Sequence, residues 1–172
     1  MERAGDLNVK EIMAQLTGGH FALLGLALAG AAFGAALFAQ YALGMAPCPL
    51  CIWQRYPYVA GGVFALVAAL ARAPRLQMLA LGLAALSFVV GAGVGVFHSG
   101  VEFGWWDGLA TCGGVPLETL PVFGEEVDIP ADCTARDPFL LGLSMANLNV
   151  LASLEIAGVF AAGAAVARRA AA

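Results

Sequence analysis

Four long apolar runs set the first limit on this chain. An α-helix rises 1.5 Å per residue, so crossing a hydrocarbon core of ~30 Å takes about 20 residues. Residues 21–43 meet this without a charge, and so do residues 76–97. Residues 50–70 are interrupted only by Gln54 and Arg55 near the start, and residues 145–167 carry Glu155 near the middle. Of the 172 residues, 61% are hydrophobic and 12% charged, more apolar surface than a water-soluble chain of this length can cover. The sequence therefore predicts an all-α integral membrane protein. It reads as a single four-transmembrane-helix bundle over residues 1–172, with a long loop at 98–138 between the third and fourth helices. The same composition excludes disorder and a secreted disulfide scaffold, and a net charge of -4 offers no basic surface for nucleic acid. Arg3 and Lys10 precede the first run as they would in a signal peptide. That run is too long for a signal h-region and further runs follow, so it reads as a retained helix.

The positions of Lys and Arg orient the bundle. Arg3 and Lys10 precede the first run, Arg72 and Arg75 separate the second from the third, and Arg168 and Arg169 end the chain. Four spans put these six of the eight basic residues on one side, read as the cytoplasm together with both termini. The 44–49 connection and the 98–138 loop then face the other compartment. Close helix contacts are expected at the small-residue pairs Gly30 and Gly34, Gly91 and Gly95, and Gly158 and Ala162. The Gly91–Gly95 cluster is no nucleotide loop, because no strand precedes it and His98 stands where GxGxxG needs its last glycine.

The long loop holds eight of the twelve acidic residues and is broken by Pro116, Pro121, Pro130 and Pro138. Loops of this length are usually functional or disordered. Trp105 and Trp106 suit the headgroup level. Residues 139–149 are expected to begin as a short interfacial helix before the fourth span.

All four cysteines fall on the non-cytoplasmic side: Cys48 and Cys51 at the first connection, Cys112 and Cys133 in the long loop. Three readings are open: two structural staples, a thiol–disulfide relay, or a zinc site. A C-x-x-C pair is a poor staple, since the small ring it closes restrains little of the unfolded chain. It is a common redox arrangement. Pro49 suits an early helical position, which puts Cys51 in the first turn, where the positive helix end favours a thiolate. Zinc could be closed by four cysteines, but the pairs are distant in sequence and one of them starts a membrane helix, so no metal is expected.

Arg55 lies four residues after Cys51, on the same helix face and one turn deeper. A charge at that depth marks a site by default, the alternative being that it snorkels to water. Beside a thiolate it can stabilise negative charge on sulfur and on an electron acceptor arriving from lipid. The chain shows no Rossmann loop, haem ligation or iron–sulfur cysteine run. A lipid-soluble quinone, ubiquinone or menaquinone, needs only an apolar groove with a polar contact near the cysteine. Arg55 supplies that contact. His98 lies at similar depth, although a histidine at a helix end is as often an interfacial residue or a dipole partner. Glu155 is equally readable as a functional carboxylate or as a protonated one bonded between helices.

The run Pro47-Cys48-Pro49-Leu50-Cys51-Ile52-Trp53-Gln54-Arg55-Tyr56-Pro57 resembles the signature of the disulfide bond formation protein B family, DsbB and DsbB-like proteins. His98-Ser99-Gly100-Val101-Glu102, the Trp105-Trp106 pair before Cys112, and Leu141-Gly142-Leu143-Ser144 are similar too. The resemblance runs from about the first span to the fourth. It implies a protein of the bacterial inner membrane, with periplasmic cysteines, that reoxidises a periplasmic DsbA-like thiol oxidoreductase and passes the electrons to the membrane quinone pool. Carried over, Cys112 accepts attack by the reduced partner and Cys133 is its loop partner. Cys133 then exchanges with Cys48, and Cys51 faces the quinone with Arg55. His98 becomes a second quinone contact. Twenty residues separate Cys112 from Cys133, enough for a loop to move between a soluble partner and the membrane surface. Two alternatives stand beside this reading. One is a quinone reductase of the vitamin K epoxide reductase type, in which the CxxC lies in a later span. The other is a membrane scaffold whose two disulfides are inert.

Overall fold

The computed structural model describes residues 17–112, 132–136 and 138–172. Arg3, Lys10 and the central part of the acidic loop, with Pro116, Pro121 and Pro130, lie outside them. The described chain is mostly helical: α1 (Gly18–Ala42), α2 (Pro49–Trp53), α3 (Tyr56–Leu70), α4 (Pro74–Glu102) and α5 (Met145–Ala171). Three of these, α1, α4 and α5, are long and apolar enough to cross a membrane.

The second expected span departs from this pattern. Instead of one helix over 50–70, the chain steps at Gln54 and Arg55 between the five residues of α2 and the fifteen of α3. Pro57 is the cause. It has no N–H to give to the Trp53 carbonyl, and its ring would collide with that carbonyl in a continuous helix. The backbone tightens around the gap, with Arg55 N–H bonded to Ile52 O at 2.9 Å and Tyr58 N–H to Arg55 O at 3.1 Å, each spanning three residues instead of four. The third span also differs from expectation. Its helix continues past Phe97 to Glu102, so His98 belongs to a helix interior and not to the loop.

α4 and α5 pack along most of their length, with α1 and α3 against them. The core is rich in alanine and threaded by Phe33, Tyr58, Phe88 and Phe160, whose neighbouring ring centroids lie 5.0–6.1 Å apart. Glycines seat these rings. A Cβ at Gly25 would run into the Phe160 ring, one at Gly61 into Phe88, and one at Gly163 into Phe21. Gly91 and Gly95 do lie at contacts, against Pro57 and Val150. Gly30, Gly34 and Gly158 meet nothing within 4 Å, so two of the three expected small-residue pairs are not packing seams. Large rings placed opposite a glycine fill the space that GxxxG spacing would have closed with backbone.

Residues 138–144 form a short antiparallel hairpin, β1 (Pro138–Leu140) and β2 (Leu143–Ser144), where the sequence suggested the start of an interfacial helix. Its two-residue turn has positive φ at Leu141 (53°) and Gly142 (77°), as a tight hairpin requires. Ser144 ends the hairpin and caps α5, its Oγ accepting from Asn147 N–H at 3.2 Å.

Because the Gly61 seat is filled by a ring and Gly30 is open, Gly61→Ala is expected to cost about 1–3 kcal/mol. Gly30→Ala should be neutral or stabilise the helix by up to ~1 kcal/mol. Thermal unfolding in detergent micelles checks this, and equal shifts for the two variants would contradict the packing described.

Candidate functional site

Cys48 is the N-cap of α2. Its backbone is extended, its Sγ accepts from Cys51 N–H at 3.2 Å, and Pro49 follows as the first helical residue. Three residues of helix bring the two sulfurs to 2.7 Å from each other. Both are free thiols, Cys48 buried and Cys51 half-buried. Since α2 has only five residues, little dipole is available to Cys51 from the helix end. Local hydrogen bonds surround the pair instead. The Cys48 thiol is pushed well above the usual thiol range, first by the hydrogen bond it gives to Cys51 and then by burial.

Cys112 and Cys133 are joined in a disulfide. Cys112 ends a short 3-10 turn (Ala110–Cys112), and Cys133 N–H bonds to Cys112 O at 3.4 Å. Sequence spacing alone could not say where this pair would sit. It packs into one buried cluster with Cys48, Leu50 and Val101, and Cys51 lies against the cluster. Relative exposures are 3% for Cys48, 3% for Cys112 and 0% for Cys133. All four cysteines thus meet at one end of the helices.

His98 is buried in the same place, more deeply than a residue at a helix end would be. The Gln54 amide nitrogen donates to His98 Nδ1 at 2.7 Å, which leaves the ring proton on Nε2, 3.5 Å from Cys48 Sγ. Glu102, one turn further along α4, has Oε1 at 3.9 Å from His98 Nε2 and accepts from Ser144 Oγ–H at 2.6 Å through Oε2. Gln54, Glu102 and Ser144 are functional candidates that the sequence reading did not single out. Two signals were present: Gln54 is a polar residue inside an apolar run beside Arg55, and Glu102 follows His98 by four residues.

These groups line one side of a cavity of about 490 Å³. Cys48, Cys51, Gln54, Arg55, His98 and Glu102 form its polar end. Ala32, Phe33 and Ala36 of α1 face Leu148, Leu151 and Ala152 of α5 along the rest. Arg55 therefore does share a space with Cys51, although it is the residue before α3 and not the next turn of the same helix. Gln40 Oε1 is a buried acceptor with no partner among the described residues, and Gln40 lines the cavity. Glu155 lines it as well, away from the tightly packed core. Trp106 belongs to the scaffold: it donates Nε1–H to Phe97 O at 2.8 Å, stacks on Phe97 and lies over Gly100, closing the end of α4.

A free CxxC pair and a loop disulfide, packed together where membrane-length helices end, define a protein of thiol–disulfide chemistry at a membrane. The family model described as "Disulfide bond formation protein DsbB" matches residues 19–163, and the chain belongs to that family. A relative in Cupriavidus necator, disulfide bond formation protein B, is 35% identical over 133 residues, covering 73% of this chain and 79% of its own. The protein of the same name in Ralstonia nicotianae is 37% identical over 132 residues, covering 73% and 80%. Disulfide bond formation protein B 1 of Pseudomonas fluorescens is 33% identical over 142 residues, covering 77% and 80%. No solved structure gives a significant match. Membership makes the chain a membrane disulfide oxidoreductase.

With Cys48 protonated and buried while Cys51 is half-open, reduced protein treated with iodoacetamide at pH 7 is expected to be modified at Cys51 first. Raising the pH brings Cys48 into reaction only after Cys51, because a raised pKa keeps its thiol protonated to higher pH. Peptide mapping by mass spectrometry reads the order, and equal labelling at neutral pH would contradict it.

Proposed function

We propose that this protein reoxidises a DsbA-type dithiol partner in the periplasm and delivers the electron pair to a membrane quinone, ubiquinone or menaquinone. In this reading α2 and α3 together make the second of four spans, the termini are cytoplasmic, and the cysteines lie on the periplasmic face of the bacterial inner membrane. The observation that carries it is the burial of a loop disulfide beside a CxxC pair that opens onto an apolar cavity.

The exchanges balance as two thiol–disulfide steps. A partner thiolate attacks Cys112, forming the mixed disulfide and releasing Cys133 as a thiolate. The partner's second thiol then displaces Cys112, so the partner leaves oxidised and the loop pair is left reduced. Cys133 attacks Cys48 of an oxidised Cys48–Cys51 pair, and Cys51 departs as the thiolate. Cys112 closes back on Cys133, which leaves Cys48 and Cys51 reduced. The conformation described here, with the loop disulfide buried, suits exchange with Cys48. Attack by a globular partner requires the buried Cys112 sulfur to become exposed.

The cavity's residues fit a quinone. Its size lies within the range of small-molecule sites, its walls are apolar, and Arg55 offers donors to a carbonyl oxygen. The unpartnered Gln40 Oε1 can accept a hydrogen bond from a hydroxyl of the reduced form. When bound, a quinone supplies a two-electron, two-proton acceptor. Arg55 holds negative charge on Cys51 and orients the acceptor, and His98 Nε2–H, 3.5 Å from Cys48 Sγ, donates toward that sulfur. Charge on Cys51 is favoured by the guanidinium with which it shares the cavity.

Anaerobic titration with reduced partner and quinone, following thiol count and quinone absorbance together, tests the reading. Turnover should be lost in Cys48→Ser, Cys51→Ser, Cys112→Ser and Cys133→Ser alike. Inert staples predict instead that no quinone is reduced and that Cys51→Ser changes nothing. Arg55→Ala is expected to raise the KM for quinone about 10- to 100-fold, as loss of a charged hydrogen bond of about 1.5–3 kcal/mol would. Formation of the mixed disulfide at Cys112 should be spared. If that step failed while quinone reduction by small thiols survived, the assignment of Arg55 would be wrong.

A further inference from the structure

Read from the sequence, a zinc site would draw on both cysteine pairs, which lie far apart along the chain. The fold brings a different third donor to the first pair. Cys48 Sγ, Cys51 Sγ and His98 Nε2 all lie within 4.8 Å of one another. We propose that these three groups form a redox-gated site for one borderline-soft divalent cation of the zinc type, filled only when Cys48 and Cys51 are both reduced.

The donor set is two thiolate sulfurs and one imidazole nitrogen, the chemistry that zinc selects. With metal–sulfur bonds of about 2.3 Å and metal–nitrogen bonds of about 2.0–2.1 Å, a tetrahedral site has sulfur–nitrogen edges of about 3.6 Å and a sulfur–sulfur edge of about 3.8 Å. The Cys48–His98 edge is already 3.5 Å. The sulfurs, 2.7 Å apart, need only separate by roughly 1 Å, a side-chain rotation for half-buried Cys51. Supporting groups are in place too. Cys51 N–H donates to Cys48 Sγ, as amides do to ligating thiolates, and Gln54 holds the far nitrogen of the imidazole at 2.7 Å. Turning the Gln54 amide over presents its oxygen to Nδ1–H and leaves the Nε2 lone pair aimed at the sulfurs. The fourth position faces the cavity, within reach of the Glu102 carboxylate or of water.

Binding displaces the two thiol protons to solvent and involves no electron transfer. It also blocks the relay, because two sulfurs that hold a cation cannot close into a disulfide. That consequence rests on the function proposed above; the binding itself does not.

The test uses full-length protein in detergent micelles carrying Cys112→Ser and Cys133→Ser, so that only Cys48 and Cys51 can be thiols, with Co²⁺ as a spectroscopic probe. Reduced protein should take up one equivalent of Co²⁺, with thiolate-to-cobalt charge transfer and the intense visible bands of a tetrahedral site. Zn²⁺ should displace it, and protein oxidised to the Cys48–Cys51 disulfide should not bind. His98→Ala should weaken binding at least about 10-fold, and Gln54→Leu about 10- to 100-fold. Gln54→Glu, whose carboxylate accepts from Nδ1–H, should bind at least as tightly as the parent. Binding that survives oxidation, that ignores His98→Ala, or that Gln54→Leu and Gln54→Glu affect equally, overturns the site. In the protein with all four cysteines, Zn²⁺ should halt quinone reduction reversibly to chelator. Cobalt binding as described in a protein that never reduces quinone would leave the site standing and remove the relay.

Discussion

The donor that Pro57 lacks governs much of this structure. A continuous second helix would carry Gln54 and Arg55 on its surface at the spacing set by 3.6 residues per turn. Without an N–H to meet the Trp53 carbonyl, the helix stops and restarts, and the two polar residues sit in the step between α2 and α3. From there Gln54 reaches His98 on α4, and Arg55 lines the cavity that Cys51 opens onto. Pro57 is itself buried against Gly91, so the same residue that breaks the helix also sets how closely α3 and α4 approach.

Around that step, buried polar groups are bonded in series. Gln54 donates to His98, His98 lies beside Cys48 and Glu102, and Glu102 accepts from the serine that caps α5. Leaving any one of these groups buried and unpaired would cost about 1–3 kcal/mol, which keeps the α2, α4 and α5 ends in register. The sulfur cluster occupies the apolar side of the same junction. These polar groups sit on helix ends, and the Cys112–Cys133 disulfide packs beside them.

The helical, membrane-length character of the chain was legible because it depends only on apolar length, which composition reports directly. Cys48, Cys51 and Arg55 were legible because their separations of three and seven residues are local. Their mutual geometry was partly so: Cys51 and Arg55 line one cavity, although bonds spanning three residues replace a regular helix between them. The small-residue pairs failed at Gly30, Gly34 and Gly158 for a related reason. Spacing identifies which glycines could permit approach, and the partner helix decides which of them meet a phenylalanine ring.

By itself the sequence determined that this chain must bury long apolar helices in lipid, that a redox-type cysteine pair opens the second of its apolar runs, and that a second pair lies in the next polar segment. Those conclusions follow from local composition and from distances along the chain. Only the tertiary structure decided that His98, fifty residues from Cys48, would stand 3.5 Å from its sulfur, that Gln54 would hold the ring, and that the Cys112–Cys133 disulfide would pack against the first pair. Those contacts join separate elements across the bundle, and the free energy that selects them comes from packing and buried hydrogen bonds that no window of sequence contains.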